Sequence, residues 1–164
     1  MLTLMIEKDA MGWGVYTNRQ NVPLCPAMEN VVVAYDGSEE SLRAARSAVE
    51  LAGAFKAGLT LLHVVPPIVL PGDAPWTSLS QIEDAEFKAA ETLLIGLKRQ
   101  LGVEAQTLVK RGPPADTIVE VASSLPDCLV VLGSKGKGAV KRLLVGSVAD
   151  RVVHLSHGPV LIVR

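Results

Sequence analysis

Residues 31–41 read VVVAYDGSEES, and two different periodicities meet inside them. VVVAY (31–35) is an unbroken, largely β-branched run with no polar alternation, the pattern of a strand covered on both faces. DGS (36–38) is turn chemistry. Ser38 then has the residue type preferred at a helix N-cap, with Glu40 or Ser41 in the first turn. The spacing of Leu42, Ala45, Val49 and Ala52 predicts a helix through about Gly53 with those four on one face. A buried strand that runs straight into an amphipathic helix is the opening half of a βα unit.

Working outward, the same alternation repeats. LTLLHVV (59–65) reads as a second strand, PPIVLPGDAPW (66–76) as a breaker-rich crossover, and 78–101 as a long amphipathic helix. VEAQTLVK (103–110) alternates like a strand, with Val103, Ala105, Thr107 and Val109 sharing a face. RGPPADTIVEVASS (111–124) gives a turn and a helix begun by its two prolines. CLVVL (128–132) is a fourth strand and GSVADRVVHLS (146–156) a helix with Val148, Val152 and Leu155 on one face. PVLIVR (159–164) is a fifth strand. The expectation is an α/β domain over 29–164: an open five-stranded parallel sheet, right-handed crossovers, helices on both faces. Ligands of such sheets sit beyond the carboxyl ends of the strands, where strand order reverses. Asp36 follows the first strand and Gly133 the fourth, so adjacent placement of those strands would put both in one crevice. Residues 1–28 stand outside the scheme as an N-terminal extension, a hairpin or a loose arm.

Composition narrows the function classes. The chain has 164 residues, 49% hydrophobic but only 4% aromatic, so its core must be aliphatic. Sixteen basic and 17 acidic residues give a formal net charge of −1, which offers no general attraction to nucleic acid or membrane surfaces. Cys25 and Cys128 lack metal or redox spacing, and Cys128 reads as a buried structural thiol. Leu2–Ile6 is too short for a signal peptide, and no run approaches the ~20 apolar residues of a membrane span. A soluble, cytoplasmic protein is expected.

Residues 133–147, GSKGKGAVKRLLVGS, carry four glycines, three lysines and an arginine directly after the fourth strand. Glycines at 133 and 136 are expected to turn with φ > 0 and to let a ligand approach the backbone. Gly146-Ser147 precedes a helix start, where unpaired N–H groups and the helix dipole favour an anion. Ser147 could cap that helix or donate to a phosphate oxygen. The Walker pattern fails because Ala139-Val140 follow Gly138, and the dinucleotide fingerprint fails because residue 141 is Lys. The alternative is a flexible connector with a solvated basic face.

What remains, Gly133-x2-Gly136-x9-Gly146-Ser147, resembles the ATP-binding branch of the universal stress protein family. VVVAYDGSEES, LLHVV and GPVLIVR resemble that family's first, second and last strands, and the likeness spans roughly 29–164. It implies a Rossmann-like fold of the adenine-nucleotide alpha-hydrolase type, binding ATP, ADP or AMP. In that reading Asp36 lies by the ribose or adenine, the Val64 backbone reads the adenine edge, and Ala34 and Leu132 line the pocket. The amides of Gly133, Gly136, Gly146, Ser147 and Val148 hold phosphates. Lys135 stands where relatives often carry His or Arg. Mg²⁺ or Mn²⁺ would be bound through the phosphates, without dedicated protein ligands. The resemblance also implies a homodimer through strand 160–164, and a role in stress response or regulation through a protein partner not evident from the sequence.

Asp36 taken alone is an ordinary helix-cap residue; its place opposite the glycine loop favours the ligand role. His63 reads as a satisfied core histidine. His154 and His157 lack a third metal ligand. Lys141 and Arg142 are either a solvated face or a screen for a triphosphate. No Ser–His–Asp set, carboxylate pair or activated cysteine emerges, so binding with little or no turnover is expected. Two alternatives stand beside it. One is a slow ATPase or ATP-pyrophosphatase-like enzyme, disfavoured because Asp36-Gly37-Ser38 lacks that class's paired glycines. The other is a nucleotide-free dimeric interaction protein, disfavoured by the intact glycine pattern.

Overall fold

A computed structural model describes residues 8–9, 12–13, 28–67, 76–136 and 145–164, with side chains placed over 28–67, 81–136 and 145–164. In chain order the elements are β1 (Lys8–Asp9), β2 (Gly12–Trp13), β3 (Asn30–Ala34), α1 (Glu39–Phe55), β4 (Gly58–Val65) and α2 (Trp76–Leu101). Then follow β5 (Gln106–Arg111), α3 (Pro114–Ser123), β6 (Cys128–Gly133), α4 (Ser147–Leu155) and β7 (Val160–Val163). Strands β1 and β2 form a two-residue antiparallel ladder. The other five make one parallel sheet in the order β5-β4-β3-β6-β7.

Strand order reverses between β3 and β6. The chain first builds outward through β4 and β5, then returns to lay β6 and β7 on the other side of β3. Val31, Val32 and Val33 are fully buried because both faces of β3 are covered. Val31 and Val33 pack with Ala44, Ala48 and Leu51 of α1 and Leu94 and Leu97 of α2. Val32 packs on the opposite face with Ala115 and Ile118 of α3 and Ala149 and Val152 of α4. The period-two pleat thus divides one continuous apolar run between two cores.

Two expectations about local packing are refined and one is corrected. The buried stripe of α1 is Ser41, Ala44, Ala45, Ala48, Leu51 and Ala52, while Leu42 and Val49 flank it half-buried. Small side chains face the sheet because the helix lies close to it. On α4 the buried residues are Ala149 and Val152; Val148 and Leu155 are 38% and 37% exposed. Strand β5 begins at Gln106, where its ladder with Thr60 of β4 starts; Val103 and Ala105 precede it and pack against the α1–α2 core. Thr107 is exposed and shares no buried face. α1 runs two residues past Gly53 and stops at Lys56, whose left-handed φ of 55° ends the helix.

Cys128 opens β6 at 8% exposure, and burial pushes its thiol pKa up to about 11, leaving it protonated and unreactive at neutral pH. Among the described residues no helix is long and apolar enough to cross a membrane. Cys25, the 68–75 part of the crossover, Gly138, Lys141 and Arg142 lie outside the described residues.

Candidate functional site

The first wall of the site is the turn after β3. Gly37 takes a φ of 82°, a conformation that costs glycine nothing. This lets the Asp36 carboxylate fold forward: its Oδ1 accepts the Ser38 N–H at 3.0 Å and the Ser38 hydroxyl at 2.6 Å. Ser38 in turn caps α1, its Oγ accepting the Ser41 N–H at 3.1 Å. Asp36 therefore braces the residue that caps the helix, while its second oxygen points elsewhere. A Cβ placed on Gly136 would stand 2.7 Å from Asp36 Oδ2. The carboxylate that closes the first βα turn lies against the glycine loop that follows β6.

The second wall is that loop. The Ser134 N–H donates to the Val163 carbonyl and the Ser134 carbonyl accepts the Gly146 N–H, both at 2.7 Å. The two glycine clusters are thereby joined, with Gly146 packed beside Ser134 and Lys135. The dihedral reason expected for the glycines does not hold, since neither Gly133 nor Gly136 has a left-handed φ. Contact explains them instead. A Cβ on Gly133 would meet the Glu40 carbonyl carbon and the Ser41 nitrogen at 2.7 Å, so its absence seats β6 against the first turn of α1.

The third wall is the start of α4. Gly146 is its N-cap and Ser147 its first helical residue, with no side-chain cap. Ser147 thus does not cap the helix, and the Gly146 amide, spent on Ser134, is a brace and not a donor to a ligand. The first helical bond runs from the Asp150 N–H to the Gly146 carbonyl at 2.9 Å. The N–H groups of Ser147, Val148 and Ala149 consequently have no intrahelical acceptor. Together with the helix dipole they present hydrogen-bond donors and partial positive charge to an anion.

These walls enclose a cleft of about 560 Å³ at the carboxyl ends of β3 and β6. All ten residues singled out from the sequence line it: Ala34, Asp36, Val64, Leu132, Gly133, Lys135, Gly136, Gly146, Ser147 and Val148. Sequence reasoning missed its apolar side, where Pro66, Pro114 and Ile118 join Ala34, Val64 and Leu132. A signal was available: Pro114 and Ile118 are one turn apart at the start of a helix that must begin at this edge of a parallel sheet. His63 is half-buried here, its Nδ1 2.7 Å from the Tyr35 carbonyl. Burial and the neighbouring Asp36 charge raise the Tyr35 pKa, so its phenol stays neutral.

The other histidines do not join the site. His154 bonds the Asp150 carbonyl at 2.8 Å on an exposed flank, and His157 is exposed. Among the described residues no three His, Cys, Asp or Glu side chains could hold a metal ion. Arg151 meets Asp116 at 3.0 Å and ties α4 to α3 outside the cleft.

A cleft at the switch point of a five-stranded parallel sheet, floored by a glycine loop, defines a class of α/β domains with known members. The universal stress protein family model matches residues 28–164, and the chain belongs to that family. It is 35% identical over 139 residues to universal stress protein MJ0531 of Methanocaldococcus jannaschii, covering 83% of this chain and 82% of that protein. It is 34% identical to universal stress protein YxiE of Bacillus subtilis over 144 residues, 82% of this chain and 97% of the relative. Among solved structures, UspA from Lactobacillus plantarum superposes with a TM-score of 0.77 at 28% identity, covering 85% of this chain and 99% of its own. A universal stress protein in complex with cAMP gives a TM-score of 0.62 at 28% identity, with the same coverage.

Proposed function

We propose that this chain binds an adenine nucleotide (ATP, ADP or AMP) and acts by binding, with little or no turnover. The observation that carries the reading is the division of the cleft. One half is apolar and suits a base; the other holds three α4 amides without an intrahelical acceptor, a glycine loop and the Asp36 carboxylate. The cAMP complex of a related stress protein supports the same ligand class. The base lies between Ala34, Leu132 and the Val64 main chain, and Asp36 accepts from ribose hydroxyls. Phosphates take the amides of Ser147, Val148 and Gly136, the Ser147 hydroxyl and the Lys135 side chain. Mg²⁺ or Mn²⁺ would be held by phosphate oxygens and water.

The cradle holds a ground state. Hydrolysis needs an oriented water and added charge stabilisation at the transferring phosphoryl group, and no described side chain beside the cleft is arranged as that base. Mass spectrometry of ligand released from heat-denatured protein should find an adenine nucleotide. Titration calorimetry should give saturable heat with ATP and Mg²⁺, and turnover should stay below ~1 s⁻¹, the lower end of ordinary enzymes. No heat with any adenine nucleotide rejects the binding reading; faster turnover that Gly136→Ala abolishes rejects the non-enzymatic one.

The same proposal includes a homodimer. All four residues of β7 are only half-buried at the outer edge of the sheet, and an unpaired edge is a template for a second strand. Removal of Val160–Arg164 is expected to leave monomer or aggregate in sedimentation. A profile matching the full chain would reject pairing there. The nucleotide state would then be read by a further protein, within a cytoplasmic stress response.

A further inference from the structure

The β3–β4 ladder ends at a side chain. The Tyr35 N–H still donates to the Leu62 carbonyl at 2.8 Å. Regular parallel pairing would next bring the Val64 N–H to the Tyr35 carbonyl. The register stops instead at Ala34↔Leu62, and the Tyr35 carbonyl lies 2.7 Å from His63 Nδ1. A carbonyl oxygen only accepts, so Nδ1 carries the hydrogen. Tyr35 packs on the α1–α2 core and Ala34 and Val64 on the opposite one; His63 lies between Leu62 and Val64, so strand alternation puts it on the Tyr35 side. The imidazole thus meets the Tyr35 carbonyl at the edge of the cleft, which both residues line.

We propose that His63 is the positioning residue of this cleft. By taking the Tyr35 carbonyl it leaves the Val64 N–H open for the edge of a base, and it holds the Tyr35–Asp36 peptide so that the carboxylate faces Gly136. This deepens the nucleotide reading above and rests on it for the ligand, though the ladder role is independent of any ligand. The bond also accounts for the chain leaving the sheet at Tyr35 while β4 runs on from His63 to Val65. An N–H from a side chain satisfies the carbonyl without committing the neighbouring strand.

The test uses His63→Leu, which keeps the bulk and removes the donor, and His63→Asn, whose Nδ2 sits one bond from Cγ as Nδ1 does. In the wild-type chain the Val64 amide should exchange with solvent at least about tenfold faster than that of Leu62. His63→Leu should slow it about tenfold by letting the ladder close, and His63→Asn should leave it as in wild type. Affinities for ATP and for adenosine should both fall about tenfold in His63→Leu, by the same factor because the loss lies at the base end. His63→Asn should recover both to within about twofold. Nitrogen NMR of the wild-type chain should show the Nδ1–H tautomer at His63. An Nε2–H tautomer, a Val64 amide already protected in wild type, or unchanged exchange and affinity in His63→Leu would each overturn the proposal. If the wild-type chain binds no adenine nucleotide, the nucleotide reading falls, and Val64 exchange still decides the ladder role.

Discussion

Replacement of Gly133 by Ala is expected to lower the melting temperature by about 10 °C. The new Cβ would press on main-chain atoms of Glu40 and Ser41 at 2.7 Å, with the Glu40 oxygen at 2.9 Å. No flexible side chain is there to yield. The obstacle is the first turn of α1, held by the Ser38 cap and by Ser41, itself 4% exposed. Overpacking against backbone costs about 3 kcal/mol, and a domain of this size loses roughly 2–4 °C per kcal/mol. Gly53→Ala is the control. It sits in the last turns of the same helix with nothing within 4 Å of its Cβ, and should stabilise by up to about 1 kcal/mol. Thermal and denaturant melts of the two variants should move in opposite directions. An unchanged melt for Gly133→Ala would mean that α1 can recede from β6 at little cost.

The second large effect is on ligand affinity. Gly136→Ala is expected to weaken ATP binding about thirtyfold, roughly 2 kcal/mol, while the melting temperature moves by no more than a few degrees. Its Cβ would stand 2.7 Å from Asp36 Oδ2, and Oδ1 of that carboxylate is tethered to Ser38 by two hydrogen bonds. Either the carboxylate turns away from the ligand or the loop withdraws from it. A double-mutant cycle separates this collision from general loop damage. In an Asp36→Ala background there is nothing to collide with, and Gly136→Ala should cost less than threefold further. Equal losses in both backgrounds would remove Asp36 from the explanation.

Much of this was legible in the residues themselves. The unbroken VVVAY run and the strand–helix alternation locate β3 to β7, whereas their order in the sheet comes from the structure. The adjacency of β3 and β6 then brings Asp36 and the glycine loop to one cleft. What sequence could not carry is how close two elements lie. Periodicity weighted Leu42 and Val49 over Ala44 and Ala48, yet the face nearest a sheet is the one with the smallest side chains. On α4, nine residues leave too few turns for spacing alone to tell that Ala149 joins Val152 inside while Val148 stands at the cleft. From sequence, Gly133 reads as a dihedral requirement. Its true constraint is the backbone of residues 40 and 41, some ninety positions upstream, which no local pattern records.

Ser134 gives one of its main-chain groups to the end of β7 and the other to the start of α4. A residue tied in two directions is a poor hinge. This neck sets how far apart the end of β7 and the start of α4 stand. Folding itself orders the amides on either side of the neck, so the proposed anion would meet a receptor already in place. Association there carries little rearrangement cost, and its rate should follow diffusion and charge instead of a slow conformational step.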